Sequence, residues 1–223
     1  MPTTTQERTR RLALSAIFCA LAFLVTLLPA PRVLFLSFDV KDSVIATASL
    51  LLGPPVALSL SLAVPLLEFI TVGTTGLWGL LMDLLSTAAF SLTASLVYKY
   101  RKTLGGAVLS LAAAALLQVA VILLADLFII PLYMKVSRSE VEAMILPFLL
   151  PFNAVKSVFN ASLVMLLYKP LSEALRRIGM LRRGSGDGYR FDGRSLAVLL
   201  LSLALVTGAA LVLFLALGAS YGG

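Results

Sequence analysis

Three polar side chains recur at helical spacing in one of the most apolar parts of this 223-residue sequence. Asn153, Lys156 and Asn160 are three and four residues apart, so in a helix they share one face over about two turns. Amide groups donate and accept hydrogen bonds, whereas an ammonium group only donates. A lysine inserted into a membrane costs roughly 2.5–3.5 kcal/mol, so such a lysine predicts a partner or a ligand. The spacing therefore favours a site for a small molecule with a polar edge.

Three carboxylates also lie within or near apolar segments, and they allow two interpretations. Glu68, Asp83 and Asp126 could form a proton or sodium pathway, or they could be paired structural charges. Glu68 and Asp126 fall near predicted helix ends, where water can hydrate them. Asp83 lies about eight residues inside its segment and is harder to explain by hydration. Of the four ionisable groups, Lys156 is the strongest candidate for a ligand contact.

Further candidate ligand contacts come from short polar segments and from large side chains beside them. The loop at 71–76 contains Thr74, and its Gly and Thr residues allow a ligand to approach the backbone closely. Trp78 and Met82 follow it and offer an apolar wall, although Trp78 also suits an interfacial aromatic belt. Tyr133 lies in a polar segment that could fold over a site. Asp42 either caps a short helix or accepts hydrogen bonds from ligand N–H or O–H groups.

Composition shows which elements must position these residues. The sequence is 60% hydrophobic and 13% charged with a mean hydropathy of +1.01, whereas soluble domains have roughly 25% charged residues. It is an integral membrane protein. A single cysteine and no histidine leave no disulfide framework and no histidine-based haem, zinc or proton-relay site. The basic residues lie at the ends of apolar segments, so they predict membrane topology rather than nucleic-acid binding.

Motifs for catalysis are missing from the sequence as well. It contains no phosphate loop of the Gly-x-x-x-x-Gly-Lys-Ser/Thr type, no nucleophile-elbow serine and no His-Glu-x-x-His. The chain is therefore predicted to be neither an ATPase nor another enzyme, without a bound cofactor or metal. Binding or translocation is the favoured activity.

Apolar runs predict the membrane-spanning helices at 12–28, 43–70, 76–98, 104–130, 148–168 and 195–217. The second run is interrupted by Gly53-Pro54-Pro55, which ends a helix and turns the chain. With a turn there, thirteen Lys and Arg residues fall on the cytoplasmic side and only Arg32, Lys41, Lys135 and Arg138 fall outside. One continuous helix instead leaves five inside and twelve outside. The positive-inside rule therefore predicts two helices, a cytoplasmic N-terminus and an outer segment at 131–147.

Residues 1–180 are therefore predicted to form a membrane domain of six helices. A basic, Gly-rich linker follows at 181–194, and an additional helix lies within 195–223. The first helix carries Ala13, Ala16 and Ala20, whose small side chains let another helix approach closely. This pattern fits either a subunit interface or packing within the chain.

Several of these motifs together resemble the riboflavin-binding S components of energy-coupling-factor (ECF) vitamin transporters. They are Ala16-xxx-Ala20, Asp39-Val40-Lys41-Asp42 before a short second helix, Leu52-Gly53-Pro54, Pro131-Leu132-Tyr133 and Pro151-Phe152-Asn153-Ala154-Val155-Lys156. The resemblance covers about residues 8–180, and the Pro-Phe-Asn-x-x-Lys element is its most specific part.

The resemblance implies an all-α S-component bundle of six helices in the cell membrane, with a riboflavin site that opens outward. Asn153 and Lys156 match positions that hydrogen-bond riboflavin in this family, and Asp42 matches an acidic position. The family often has Asn before the Pro-x-Tyr element, where this sequence has Ala125 and Asp126. Transport is expected to need a transmembrane coupling subunit, which would dock on the Ala-rich first helix, and two cytoplasmic ATPases. The additional C-terminal helix departs from the usual six.

Two other functions remain open at this point. An S component for another vitamin such as thiamin would share the architecture. An ion-coupled secondary transporter would instead use Asp83 and Asp126 and would need no ATPase partner.

Overall fold

The computed structural model describes residues 5–28, 32–33, 36–37 and 40–180. Seven α-helices and one π-helical turn make up most of this part of the chain. They are α1 Thr5–Thr26, α2 Lys41–Leu52, α3 Pro54–Thr71, α4 Gly76–Tyr100, α5 Leu104–Met134, α6 Arg138–Met144, the π-helical turn Ile145–Leu149, and α7 Leu150–Arg177. The predicted linker at 181–194 and the predicted helix at 195–223 lie outside the described residues.

The predicted all-α class needs one small amendment between α1 and α2. Two strands of two residues each, β1 Arg32–Val33 and β2 Leu36–Ser37, pair in antiparallel fashion in the connection between these helices. A hairpin this short contributes little stability of its own, because isolated two-stranded ribbons are marginal in water. The bundle of helices therefore carries the fold.

The predicted break at Gly53 is confirmed. Gly53 has φ 97°, a conformation that residues with a Cβ atom rarely adopt, and it separates α2 from α3. Pro54 begins α3, where its missing N–H needs no partner. The break leaves α2 with twelve residues, or about 18 Å of helix, which is too short for a membrane core of about 30 Å.

The short helix α2 occupies the centre of the bundle. Ten of its twelve residues are buried, including Lys41, Asp42 and several Ser and Thr residues. It contacts α1, α3, α4 and α7. Polar groups at such a position must find partners inside the protein, because lipid offers none. The buried polar contacts of the bundle accordingly converge on α2.

Five helical stretches of the described chain are long and apolar enough to cross a membrane: Thr5–Thr26, Pro54–Thr71, Gly76–Tyr100, Gly105–Met134 and Arg138–Arg177. Their outer surfaces carry large apolar side chains such as Ile70, Leu116 and Leu124, each at least 60% exposed. Such surfaces suit contact with lipid. Together with α2, these spans match the predicted bundle of six helices.

The prediction of an outer segment at 131–147 was wrong in part. Helix α5 continues through Pro131 to Met134, and Lys135 follows it in the left-handed conformation with φ 56°. Pro131 lies in the last turn of α5, so the one helical hydrogen bond that its missing N–H cannot make is lost close to the end of the helix. The segment then becomes α6 and the π-helical turn, which pack against α5 through Val141 and Phe148. The helix predicted at 148–168 is also longer than expected, because α7 runs on past Pro170 to Arg177.

Consecutive long helices alternate in direction, which determines where the site forms. Helices α3 and α5 end, and α2, α4 and α7 begin, at the same end of the bundle. Polar residues that are distant in the sequence meet there. At the opposite end, Arg11 donates a hydrogen bond of 3.1 Å to the carbonyl of Leu52, and Tyr98 and Tyr168 form a hydrogen bond of 3.0 Å.

Candidate substrate-binding site

A cavity of about 400 Å³ lies between α3, α4, α5 and α7 at the end of the bundle where α4 and α7 begin. Its polar wall includes Glu68, Thr74, Thr75, Asp83, Ser86, Asp126, Asn153 and Lys156. Its apolar wall includes Trp78, Met82, Ile122, Ile129, Tyr133 and Phe152. Small-molecule sites commonly combine an apolar lining with a few polar groups in this way, at volumes of about 300–1,000 Å³.

The cavity brings together seven of the nine residues for which the sequence predicts a ligand contact. These are Thr74, Trp78, Met82, Asp126, Tyr133, Asn153 and Lys156. They come from four different segments that are up to 82 positions apart in the chain. Trp78 is 37% exposed and Tyr133 is 42% exposed, so both rings still have surface available to a ligand. Their contact with a ligand stays a prediction.

Helix α7 positions Asn153 and Lys156 on the face that lines the cavity. Asn153 is 7% exposed, and its Nδ2 donates a hydrogen bond of 2.9 Å to the carbonyl of Leu149. This bond fixes the orientation of the amide one turn after the π-helical turn. Lys156 is half-buried and follows one turn later on the same wall. The three-residue spacing therefore places an amide and an ammonium group side by side.

Asn160 does not line the cavity. It is completely buried two turns further along α7. Asn153, Lys156 and Asn160 all lie on α7 at the predicted spacing, but the cavity ends before Asn160. Its position suits packing between helices.

Asp42 is also absent from the cavity lining, and it takes part in a buried polar network behind the wall. Its carboxylate accepts hydrogen bonds from Thr87 Oγ1 at 2.8 Å and from Gln118 Nε2 at 2.9 Å. Gln118 also donates to Ser86, and its Oε1 accepts from Ser157 at 2.8 Å. The network therefore joins α2, α4, α5 and α7. Only Ser86 of this group reaches the cavity.

The interpretation that Asp42 caps the N-terminus of α2 was wrong. The residue before α2 is Val40, and it makes no side-chain capping bond. Asp42 lies in the first turn of α2, where a negative charge is favourable, and its side chain points into the network instead.

An ion-pair cluster that the sequence did not predict lies beside the cavity. Lys41 is 2% exposed, contacts Glu68, and lies 2.9 Å from Asp83 Oδ2. Both carboxylates line the cavity. Two of the three carboxylates in apolar segments are thus paired, as one of the two sequence interpretations proposed. The charge of Lys41 was visible in the sequence, but its position suggested an outer loop rather than the start of a buried helix.

Asp126 differs from the other two carboxylates. The expectation that water would hydrate it was wrong, because it is 1% exposed. Neither carboxylate oxygen has a hydrogen-bond partner among the described residues, although the residue lines the cavity. No group of three or more His, Cys, Asp or Glu side chains in the described ranges is arranged to hold a metal ion.

The predicted partner interface on α1 lies on the outside of the bundle. Ala13, Ala16 and Ala20 are exposed, whereas Leu14, Phe18 and Ala22 of the same helix are buried in the core. The alanine face is therefore available to another helix. Docking on this face stays a prediction.

Comparison with known proteins places this fold and cavity in a family. The chain is 25% identical over 182 residues to the riboflavin transporter RibU of Staphylococcus aureus (strain TCH60), covering 77% of this chain and 95% of that protein. The solved structure of the S component of a bacterial ECF transporter aligns with a TM-score of 0.65 at 22% identity, covering 76% of this chain and 99% of that one. That similarity shows a shared fold.

The family model of the ECF transporter substrate-specific component matches residues 10–168, which is most of the chain and includes every residue that lines the cavity. Members of this family are membrane transport proteins that bind substrate, not enzymes. The chain belongs to the family of ECF transporter substrate-specific components.

Proposed function

We propose that this chain binds riboflavin from the outer side of the cell membrane and delivers it inward as the substrate-binding subunit of an ATP-driven importer. The observation that carries the proposal is the placement of Asn153 and Lys156 on one wall of the cavity. The similarity to a riboflavin transporter across 77% of the chain supports the same ligand.

The chemistry of the cavity fits riboflavin. This vitamin has an apolar dimethylbenzene end, a pyrimidine edge with hydrogen-bond donors and acceptors, and a polyhydroxyl tail, and it is uncharged near neutral pH. Asn153 and Lys156 would bind the pyrimidine edge or the hydroxyl groups. Trp78, Met82 and Phe152 offer flat or adaptable surfaces for the ring system.

The proposed energy source lies in partner proteins. The sequence has no phosphate loop, so ATP hydrolysis must come from other subunits. We infer a transmembrane coupling subunit that contacts the exposed Ala13, Ala16 and Ala20 face of α1, together with two cytoplasmic ATPases. The distribution of Lys and Arg residues supports a cytoplasmic N-terminus and therefore a cavity that opens outward.

A second candidate ligand is thiamin, which the buried carboxylate of Asp126 favours. Thiamin carries a permanent positive charge, and an unpartnered carboxylate inside a cavity would stabilise such a cation. An ion-coupled mechanism through Asp83 and Asp126 has less support, because Asp83 already pairs with Lys41.

The direct test is to identify the small molecule that copurifies with the full chain in detergent. We expect riboflavin, seen as a yellow protein and identified by mass spectrometry after denaturation. In parallel, the melting temperature of the ligand-free protein should rise with riboflavin and not with thiamin, because only a ligand that binds the folded state stabilises it. Stabilisation by thiamin and not by riboflavin would contradict the riboflavin proposal and support thiamin as the ligand.

A further inference from the structure

Four charged side chains of the described residues line the cavity: Glu68, Asp83, Asp126 and Lys156. Three of them are acidic. The buried ammonium of Lys41 contacts Glu68 and Asp83, and so compensates these two carboxylates from behind the wall. Counting Lys41, the three carboxylates exceed the two ammonium groups by one, and Asp126 is the carboxylate without a hydrogen bond or ion pair among the described residues.

The surroundings of Asp126 make its charge effective inside the cavity. Ile122, Ile129 and Ile130 of the same helix line the cavity on either side of it. Asp126 itself is 1% exposed, so little water screens the charge of its ionised form. In such an environment an electrostatic interaction is stronger than in water, and an unsatisfied polar group is correspondingly unfavourable.

We propose that Asp126 makes this cavity discriminate against anionic ligands, and so excludes the phosphorylated forms of a ligand that it binds in uncharged form. The inference rests on the riboflavin site proposed above. It assigns to Asp126 a role in specificity that is separate from the binding role of Asn153 and Lys156.

The selectivity follows from what each ligand offers to the carboxylate. Riboflavin is uncharged, and its N–H and hydroxyl groups are donors for the polar wall of the cavity, so it brings no charge near the buried oxygens of Asp126. Riboflavin 5′-phosphate keeps these donors but adds about 1.5 to 2 negative charges near neutral pH, by analogy with other phosphate monoesters. Like charges brought together in a binding site oppose binding strongly.

Lys156 does not offset this effect fully. It is the one ammonium group that lines the cavity within the described part of the chain, whereas three carboxylates line it. Lys41 is 2% exposed and does not line the cavity, so a phosphate group could reach it only by displacing Glu68 or Asp83. The added charge of a phosphate therefore enters a site that already has an acidic excess.

Titration of the purified full chain with riboflavin and with riboflavin 5′-phosphate tests this inference, with flavin fluorescence as the readout. The measured quantity is the ratio of the dissociation constant of the phosphate to that of riboflavin. We expect a ratio of at least about 100 for the natural sequence and a decrease of about tenfold for Asp126→Asn, which keeps the shape and removes the charge. Asp126→Glu keeps the charge and should keep the ratio high.

A melting curve of each variant distinguishes a folding defect from a change in selectivity. If Asp126→Asn does not fold, Asp126→Ser removes the charge with a smaller side chain and should lower the same ratio. An unchanged ratio in a folded neutral variant that still binds riboflavin would overturn the selectivity and leave the riboflavin site intact. If the natural sequence binds neither flavin, the proposed function fails and the role of Asp126 fails with it.

Discussion

The ammonium group of Lys41 lies 2.9 Å from Asp83 Oδ2, so the first residue of the central helix α2 is tied to the third turn of α4. The same ammonium group contacts Glu68 near the end of α3. One buried cation therefore holds two walls of the cavity together. Glu68 and Asp83 line the cavity, whereas Lys41, which pairs with both, does not.

Replacement of Lys41 with methionine should destabilise the protein. The Lys41→Met substitution would leave Glu68 and Asp83 close together without their cation, and removal of one partner from a fully buried pair costs about 3–5 kcal/mol. The carboxylates are 25% and 31% exposed, so we expect a smaller loss of about 1–3 kcal/mol. Thermal unfolding in detergent measures it. Lys99→Met, at an exposed position of α4, is the matched control. Equal melting temperatures for Lys41→Met and the control would contradict the structural role.

Asp42→Ala should lower stability much more than it lowers ligand affinity. The change removes the acceptor of hydrogen bonds from Thr87 and Gln118 and leaves buried donors unsatisfied, at a cost of about 1–3 kcal/mol. Asp42 does not line the cavity, so riboflavin binding by the folded fraction should change little. Asp42→Asn keeps one acceptor oxygen, so its stability should lie between that of the natural sequence and that of Asp42→Ala. A large loss of affinity at unchanged stability would instead support the direct ligand contact that the sequence predicted.

The bundle of six helices within the described residues and the break between α2 and α3 were predictable, because they depend on local properties. Gly53-Pro54-Pro55 stops a helix in any surroundings, and apolar runs of sufficient length predict spans. The ends of α5 and α7 were not predictable in the same way. Helix α5 continues past Pro131, and α7 continues past Pro170, where Leu171 and Leu175 pack against the core.

The residues that line the cavity were largely predictable, but their partners were not. Asn153, Lys156 and Asp126 stand out because polar groups are rare in apolar segments. The pairing of Lys41 with Asp83 joins residues 42 positions apart, and it depends on how α2 packs against α4. The burial of Asp126 likewise depends on neighbouring helices, so hydration was the wrong expectation.

Gly79→Ala should disturb the rim of the cavity. A Cβ atom on Gly79 would lie 1.7 Å from Oγ1 and 2.6 Å from Cβ of Thr75. A change of rotamer moves Oγ1 but not the Cβ of Thr75, so the loop before α4 must shift. Overpacking of this kind costs about 1–3 kcal/mol, and both residues line the cavity, so riboflavin affinity and stability should fall.

Two variants control for the substitution at Gly79. Gly105→Ala adds a Cβ atom that meets nothing within 4 Å, and it should leave affinity unchanged. The double variant Thr75→Gly/Gly79→Ala removes the clashing atoms, so it should recover part of the affinity. If Gly79→Ala binds riboflavin as tightly as Gly105→Ala does, the rim of the cavity is not part of the site.

The wall formed by Asn153 and Lys156 is the central feature of the proposed site, and equilibrium titration with riboflavin tests it most directly. The full chain, Asn153→Ala, Lys156→Ala and Lys169→Ala should be compared by quenching of flavin fluorescence. Lys169 lies on the same helix, does not line the cavity, and pairs with Glu173 at 3.7 Å. Loss of a hydrogen bond from a charged donor corresponds to about 1.5–3 kcal/mol, so Lys156→Ala should weaken binding by at least about tenfold. Asn153→Ala should also weaken binding, and Lys169→Ala should bind as the natural sequence does. Unchanged affinity in both Asn153→Ala and Lys156→Ala would contradict the site.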